Sequence, residues 1–275
     1  LYRGYFINLD RNITRLAAIT AHLKGRGVSD AYERFPAVDG RLESATHKTT
    51  LDAGELGIWL TQENLLRANR NSNDHLHIIE DDTNLAQCAK TVLPDLMGVA
   101  DTNIAGWDLF FTSALIPLEV RRFKQLAKQW ESFKATEAIE LFPLKDIYRG
   151  GTGSFFVNAK SIDKYLSLIS GKWSLGTPID LYLRQLINDG RLNAYGCIPF
   201  LSSQSEEGNQ SDIRGQLNSS REAYLAYCSM FYVDADHGRI KQELTRLSEG
   251  AEHSIMTDIF LRALSFTLSD KFQSF

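Results

Sequence analysis

The stretch His75-Leu76-His77-Ile78-Ile79-Glu80-Asp81-Asp82 constrains the fold more than any other part of the chain. A short, mostly apolar run, Leu76 to Ile79, ends abruptly in three adjacent carboxylates. An Ile-rich run of this length, bounded by polar residues, reads as a buried strand. Acids at the end of a buried strand sit at the carboxyl edge of a sheet, where open α/β sheets bind ligands. Three neighbouring carboxylates repel one another, and a divalent cation relieves that repulsion. A solvated turn whose acids cap the next element accounts for the same residues, so the triplet alone leaves both readings open.

The flanking sequence supplies the α/β context. Tyr5 to Leu9 reads as a first strand, broken by Asp10-Arg11-Asn12. A helix follows, with Leu16, Ile19 and Leu23 on one face, ending at Gly25 and Gly27. Tyr32 to Val38 reads as a second strand, closed by Asp39-Gly40. Strand, helix, strand opens an α/β domain. Arg11 and Arg15 are either a solvated helix face or, beside a helix N-terminus, a grip for an anion. Asp39 either makes a turn with Gly40 or accepts hydrogen bonds from a ribose. From Asp52, which can cap, a helix carries Leu56, Trp59, Leu60 and Leu66 inward to about Asn69. Gly54 and Gly57 inside it each cost about 1 kcal/mol against Ala, which suggests close approach by another backbone or by a ligand.

Beyond the triplet, strands are expected at Asp108–Thr112, Ala138–Phe142 and within Leu192–Phe200. Helices are expected over Glu119–Lys134 and Ala159–Ile169, and from Thr177-Pro178 to about Asn188. Thr177 suits the N-cap and Pro178 the first helical position. That puts Asp180 in the first turn, either complementing the helix dipole or serving as a general base. Gly150 to Gly153 lacks the spacing of dinucleotide or Walker loops. It suits a tight loop whose backbone approaches a ligand at Gly151 and Thr152, or a flexible connection. Ser202 to Gln216 reads as a polar loop, and residues beyond Ser219 as helical. The expected division is a catalytic domain over 1–215 and a helical C-terminal extension over 216–275 packed on it. Asp234, Asp236 and His237 in that extension read as a surface turn rather than metal ligands.

Composition excludes several classes. The net charge of −4 argues against nucleic acid as the main partner. Three cysteines, Cys88, Cys197 and Cys228, form neither a disulfide framework nor a zinc spacing, which fits a reducing, cytoplasmic compartment. No stretch approaches the roughly 18 apolar residues of a spanning helix. Arg121, Arg122, Phe123, Lys124 and Trp130 leave room for peripheral contact with an anionic membrane surface, although a solvated helix explains them as well.

Four stretches in order, FINLDRNITR (Phe6 to Arg15), RFPAVDG (Arg34 to Gly40), GELGIWLTQ (Gly54 to Gln62) and HIIEDD (His77 to Asp82), with GGTGSFFVNAKS (Gly150 to Ser161) and TPID (Thr177 to Asp180) after them, resemble glycosyltransferase family 25. That family contains bacterial lipooligosaccharide galactosyltransferases and collagen galactosyltransferases. The resemblance implies a GT-A-like fold, a mixed central sheet flanked by helices, that binds a UDP-sugar donor and a divalent metal, Mn2+ or Mg2+. It implies inverting transfer of a hexose, galactose by family habit, to a glycan or lipooligosaccharide (glycolipid) acceptor. It casts Glu80-Asp81-Asp82 as the DXD motif, with Asp82 and Glu80 on the metal. Asn8, Leu9, Arg11, Arg15, Asp39, Gly40, Gly54, Glu80, Asp81, Gly151 and Thr152 become the nucleotide-sugar contacts. Asp180 is the candidate base, with Glu55 and Glu206 as alternatives. One departure stands out: the family commonly reads GEIGCFLSH, so Thr61-Gln62 replaces a Ser-His pair. A non-catalytic nucleotide-sugar- or glycan-binding protein that keeps the fold is therefore the alternative expectation.

Overall fold

The computed structural model describes residues 1–117, 119–205 and 225–249. Its elements are β1 (Tyr2–Asn8), α1 (Ile13–Gly25), β2 (Tyr32–Pro36), α2 (Gly40–Glu43), α3 (Ala53–Ala68), β3 (His75–Glu80), β4 (Thr83–Leu85), α4 (Ala89–Asn103), β5 (Leu109–Phe111), α5 (Val120–Thr136), β6 (Glu140–Pro143), β7 (Ser154–Val157), α6 (Ile162–Ile169), α7 (Ile179–Asn188), β8 (Ala194–Ile198), β9 (Ser202–Gln204) and α8 (His237–Glu249). Seven strands make one mixed sheet in the order β2-β1-β3-β7-β5-β8-β6, and β4 and β9 form a separate pair.

β1 runs parallel to both β2 and β3, and β5 runs parallel to β8. β7 is antiparallel to both β3 and β5, so β3 and β5 share a direction. The carboxyl ends of β1, β2, β3, β5 and β8 therefore meet at one edge. α1 returns the chain to one side of β1, and α3 returns it to the other. The gap between the ends of β1 and β3 is thus a topological switch point, the place where doubly wound sheets hold ligands.

Side-chain alternation along the strands builds two cores. Tyr5, Ile7, Leu76, Ile78, Leu109, Phe111, Phe155 and Val157 face α3, α6 and α7. Phe6, Ile79, Phe110 and Phe156 face Ile19 and Leu23 of α1 and Leu93, Leu96 and Met97 of α4. Leu76, Ile78 and Ile79 are fully buried because both faces of β3 are covered, which explains why this strand reads as a continuous apolar run. Each such side chain contributes about 1.5–3 kcal/mol by burial. That anchoring fixes the register of the acidic end against β1.

The α/β architecture, with a mixed sheet flanked by helices, agrees with the sequence reading, and most strands and helices fall within a few residues of expectation. Two differences are informative. α4 went unread because Pro94 and Gly98 interrupt its pattern. The polar segment after Ser202 begins as β9, a strand that pairs with β4. Residues 225–229 are helical, and Tyr227, Met230, Phe231 and Leu244 join the same core as α3 and α7. The boundary at 215/216 and the helix expected beyond Ser254 lie outside the described residues. Asp234 accepts hydrogen bonds from Gln87 N and the Tyr232 hydroxyl, Asp236 from Arg239 N, and His237 Nε2 bonds the Met230 carbonyl, so these groups build the turn. α5 turns Leu126, Ala127 and Trp130 toward the core. No described helix is long and apolar enough to cross a membrane.

Candidate active site

The acidic triplet sits at the switch point, and each carboxylate has a different environment. Asp81 is buried and fully engaged. Its Oδ2 accepts from Asn8 Nδ2 at 2.6 Å, and its Oδ1 lies 2.6 Å from Arg15 Nη2. Asn8, at the end of β1, also receives Arg34 through its side chain (Nε, 3.2 Å) and its carbonyl (Nη2, 3.1 Å). Asp81 thus ties β3 to β1 across the switch point. Asp82 is buried too, but only one of its oxygens is held: Oδ2 lies 3.0 Å from Arg15 Nη2 and accepts from Gln204 Nε2 at 3.0 Å. The backbone of Ser205 donates to the Asp82 carbonyl, so the end of β9 is latched to this residue.

Glu80 ends β3 and accepts a hydrogen bond from the Thr152 hydroxyl on Oε1. Burial, together with the charges of Asp82 and Asp81, pushes its carboxyl up to about 8, despite Thr152 and Arg15. Arg15 lies against both Asp81 and Asp82. Glu80 Oε2 and Asp82 Oδ1 are left without a hydrogen-bond partner among the described residues. Two hard carboxylate oxygens suit Mg2+ or Mn2+, which take one or two protein carboxylates and complete their shell with substrate phosphate and water. The residues present fit such an ion in that limited sense. No group of three or more His, Cys, Asp or Glu side chains among the described residues is arranged to hold a metal ion.

The loop Gly150–Gly153 reaches the same edge because β7 runs antiparallel to β3. Its Gly153 carbonyl accepts from Glu80 N and from the Thr83 hydroxyl. On its other side stands Asp180, in the first turn of α7, whose N-cap is Pro178 rather than Thr177. Asp180 Oδ1 accepts from Leu181 N at 2.8 Å, and Oδ2 receives only a long contact, 3.4 Å, from Gly151 N. Gly150 is required here: a Cβ would fall 2.7 Å from Asp180 Oδ2 at a φ of +158°, and Gly151 adopts a φ of +90°. Tyr148 donates to the Gly151 carbonyl, and its phenol is raised by burial and by the charges of Asp180 and Glu80. Glu80, Thr152, Gly151, Tyr148 and Asp180 therefore share one neighbourhood.

The remaining expected residues divide by role. Asp39 caps α2 and pairs with Arg41 (2.8 Å) and with Arg11. Hydrogen bonds from Arg41, with Arg11 nearby, lower its carboxyl to about 2. Gly40 has no room for a side chain, since a Cβ would lie 1.8 Å from the Ala53 carbonyl and 2.9 Å from Gly57 N. Its place is backbone-to-backbone packing on α3, and Gly57 is its counterpart. Gly54 lies in the first turn of α3, and Leu9 accepts from Asn12 N in the turn after β1. Glu55 completes a capping box with Asp52, receiving Asp52 N on Oε2 at 3.1 Å. That is a helix-start task. Glu206 lies outside the described residues. Gln62 is buried and accepts from the Tyr165 hydroxyl at 2.7 Å, while its Nε2 has no partner among the described residues. Thr61 donates to the Gly57 carbonyl and accepts from Val38 N. Both are structural.

Arg34, Tyr148 and Gln204 were not singled out from sequence. Arg34 stands inside the RFPAVDG motif, which was a usable signal; Tyr148 and Gln204 carried none.

No family model and no curated protein sequence matches this chain. Among solved structures, mouse xyloside xylosyltransferase 1 in its apo form is similar with a TM-score of 0.40 at 11% identity, over 70% of this chain and 83% of that one. That likeness is too remote to transfer residues or chemistry.

Proposed function

We propose that the chain is a metal-dependent glycosyltransferase that moves a hexose from a UDP-sugar to a glycan or glycolipid acceptor with inversion. One arrangement carries the reading: Glu80 and Asp82, each with one carboxyl oxygen left without a hydrogen-bond partner among the described residues, belong to one acidic cluster at the switch point, where the charges of Asp82 and Asp81 raise Glu80. The ordered motifs resembling glycosyltransferase family 25 give the same reading from sequence, and make UDP-galactose with Mn2+ the first donor and ion to test.

On this reading, Glu80 and Asp82 would hold the ion, which would supply positive charge against the charge developing on the leaving UDP. Arg11 and Arg41, steadied by Asp39, add positive charge at the nucleotide end. The acceptor hydroxyl attacks the anomeric carbon opposite UDP and gives its proton to Asp180 Oδ2, the weakly held oxygen. The new C–O bond forms as the C–O bond to phosphate breaks, and UDP departs with the electron pair. General-base help of this kind is worth about 10²–10⁴ in rate. The buried position of Gln62 supports the catalytic reading over a non-catalytic binder, because a histidine there would face Tyr165 in the core rather than a substrate. UDP release from a panel of UDP-sugars, with and without Mn2+, tests the function. Release that needs both ion and acceptor supports it, and no release from any donor with any divalent ion rejects it.

A further inference from the structure

Arg15 was expected among the contacts of the nucleotide. Its geometry gives it different work. A single terminal nitrogen, Nη2, lies 2.6 Å from Asp81 Oδ1 and 3.0 Å from Asp82 Oδ2, with the side chain only 20% exposed. Its Nε is buried with no partner among the described residues, so the guanidinium is held by those two acids rather than by a planar two-point grip on one of them. Asp81 cannot move to meet it, because Asn8 fixes its other oxygen and Arg34 in turn fixes Asn8. Asp82 is approached on the same oxygen by Gln204 from the opposite element, β9. Both restraints fall on Oδ2 and leave Oδ1 open.

We propose that Arg15 is a positioning residue: it clamps Asp82 to the rigid Asp81–Asn8–Arg34 chain, presents Asp82 Oδ1 to a divalent cation, and does not bind the donor diphosphate. The proposal rests on the metal-dependent donor site described above. Two opposing effects are at stake when Arg15 is removed. Loss of a neighbouring positive charge favours a cation, whereas loss of the clamp lets two buried carboxylates repel and swing apart. Groups that orient a metal ligand from behind typically govern 10–100-fold in metal affinity, and the burial of both acids makes orientation the larger effect here.

The test is Mn2+ binding without nucleotide, read from the electron paramagnetic resonance signal of free Mn2+, together with calorimetric UDP binding at saturating Mn2+. The proteins are the wild-type chain, Arg15→Met and Arg15→Lys, each checked for native circular dichroism. Arg15→Met is expected to weaken Mn2+ binding by roughly 10–100-fold. Arg15→Lys, whose ammonium can still bridge two acids, is expected to recover most of that loss. If Arg15→Met does not fold, Arg15→Gln carries the same expectation. Unchanged or tighter Mn2+ binding by the Met or Gln variant overturns the role of Arg15. So does unchanged Mn2+ binding with weakened UDP binding, which makes Arg15 a phosphate ligand. Absence of Mn2+ and UDP binding in the wild type is a different outcome and rejects the donor site itself.

Discussion

Gly57→Ala sets two well-separated effects against each other. Gly57 is inside α3, where alanine is favoured over glycine by about 1 kcal/mol. Helix propensity alone makes the variant more stable. A Cβ on Gly57, however, would lie 2.6 Å from the Val38 carbonyl oxygen and 3.3 Å from Gly40 N, with backbone on the far side of both contacts. α3 must then move away from the Val38–Gly40 segment. Thr61 spans the same gap, bonded to Val38 N at 2.8 Å and to the Gly57 carbonyl at 2.6 Å, and its bond to Val38 lengthens with that movement. Overpacking costs about 1–3 kcal/mol and a weakened buried hydrogen bond about 1 kcal/mol. Less the gain in propensity, the net loss is about 1–3 kcal/mol, or roughly 3–10 °C in Tm for a chain of this size. Gly98→Ala in α4 is the control, because nothing lies within 4 Å of a Cβ there. It should gain about 0.5–1 kcal/mol. Urea unfolding followed by circular dichroism measures both. A Gly57→Ala protein as stable as Gly98→Ala refutes the backbone contact that sets the loop bearing Asp39.

Other expectations follow from the buried polar groups and the base. His77 is stacked on Phe156 at 3.9 Å and bonded to Tyr32 and Ser154, and burial lowers it to about 3. Because the unfolded chain protonates near 6.5, stability is retained above that pH and lost as pH falls toward 3, by up to about 2.5 kcal/mol between pH 6 and pH 4. Comparing urea midpoints of wild type and His77→Gln over that range should show an additional loss toward low pH in the former, and parallel curves reject the assignment. Glu80 has the opposite sign: its folded carboxyl titrates near 8 against an ordinary 4.5. It holds its proton when folded, so stability is lost as pH rises from 4.5 through 8. Glu80→Gln should therefore raise the Tm of metal-free protein at pH 8 and have little effect near pH 4; an equal shift at both pH values speaks against charge as the cause. Asp180→Asn should lower the rate of transfer about 10²–10⁴-fold while UDP and Mn2+ binding stay near wild type. A parallel loss of binding would make Asp180 part of the donor site instead.

The residues that could be read from the sequence are those whose partners lie nearby in the chain or repeat with a regular period. β3 and its acidic end, α1 and α7 were all visible on this basis. Pro94 and Gly98 hid α4, and three-residue strands such as β4 and β9 are too short to show a period. The roles within the triplet were not legible, since they depend on partners far along the chain. Asn8 meets Asp81 across 73 positions and Gln204 meets Asp82 across 122. Glu55 carries a local signal of another kind: Asp52-Ala53-Gly54-Glu55 is a capping-box spacing, and the structure forms that box. Gln62 shows the limit of motif comparison, because a position that differs from a family pattern turned out to face Tyr165 in the core.

The most direct measurement is calorimetry of UDP with the intact chain in Mn2+, in buffer without divalent ions, and with Asp82→Asn. The expected result is UDP binding that requires Mn2+ and is lost, by tenfold or more, in Asp82→Asn while the fold is kept. UDP binding that is indifferent to both the ion and Asp82, or no UDP binding by the wild-type chain, would contradict the assignment of Glu80 and Asp82 as the anchor of a nucleotide-sugar donor.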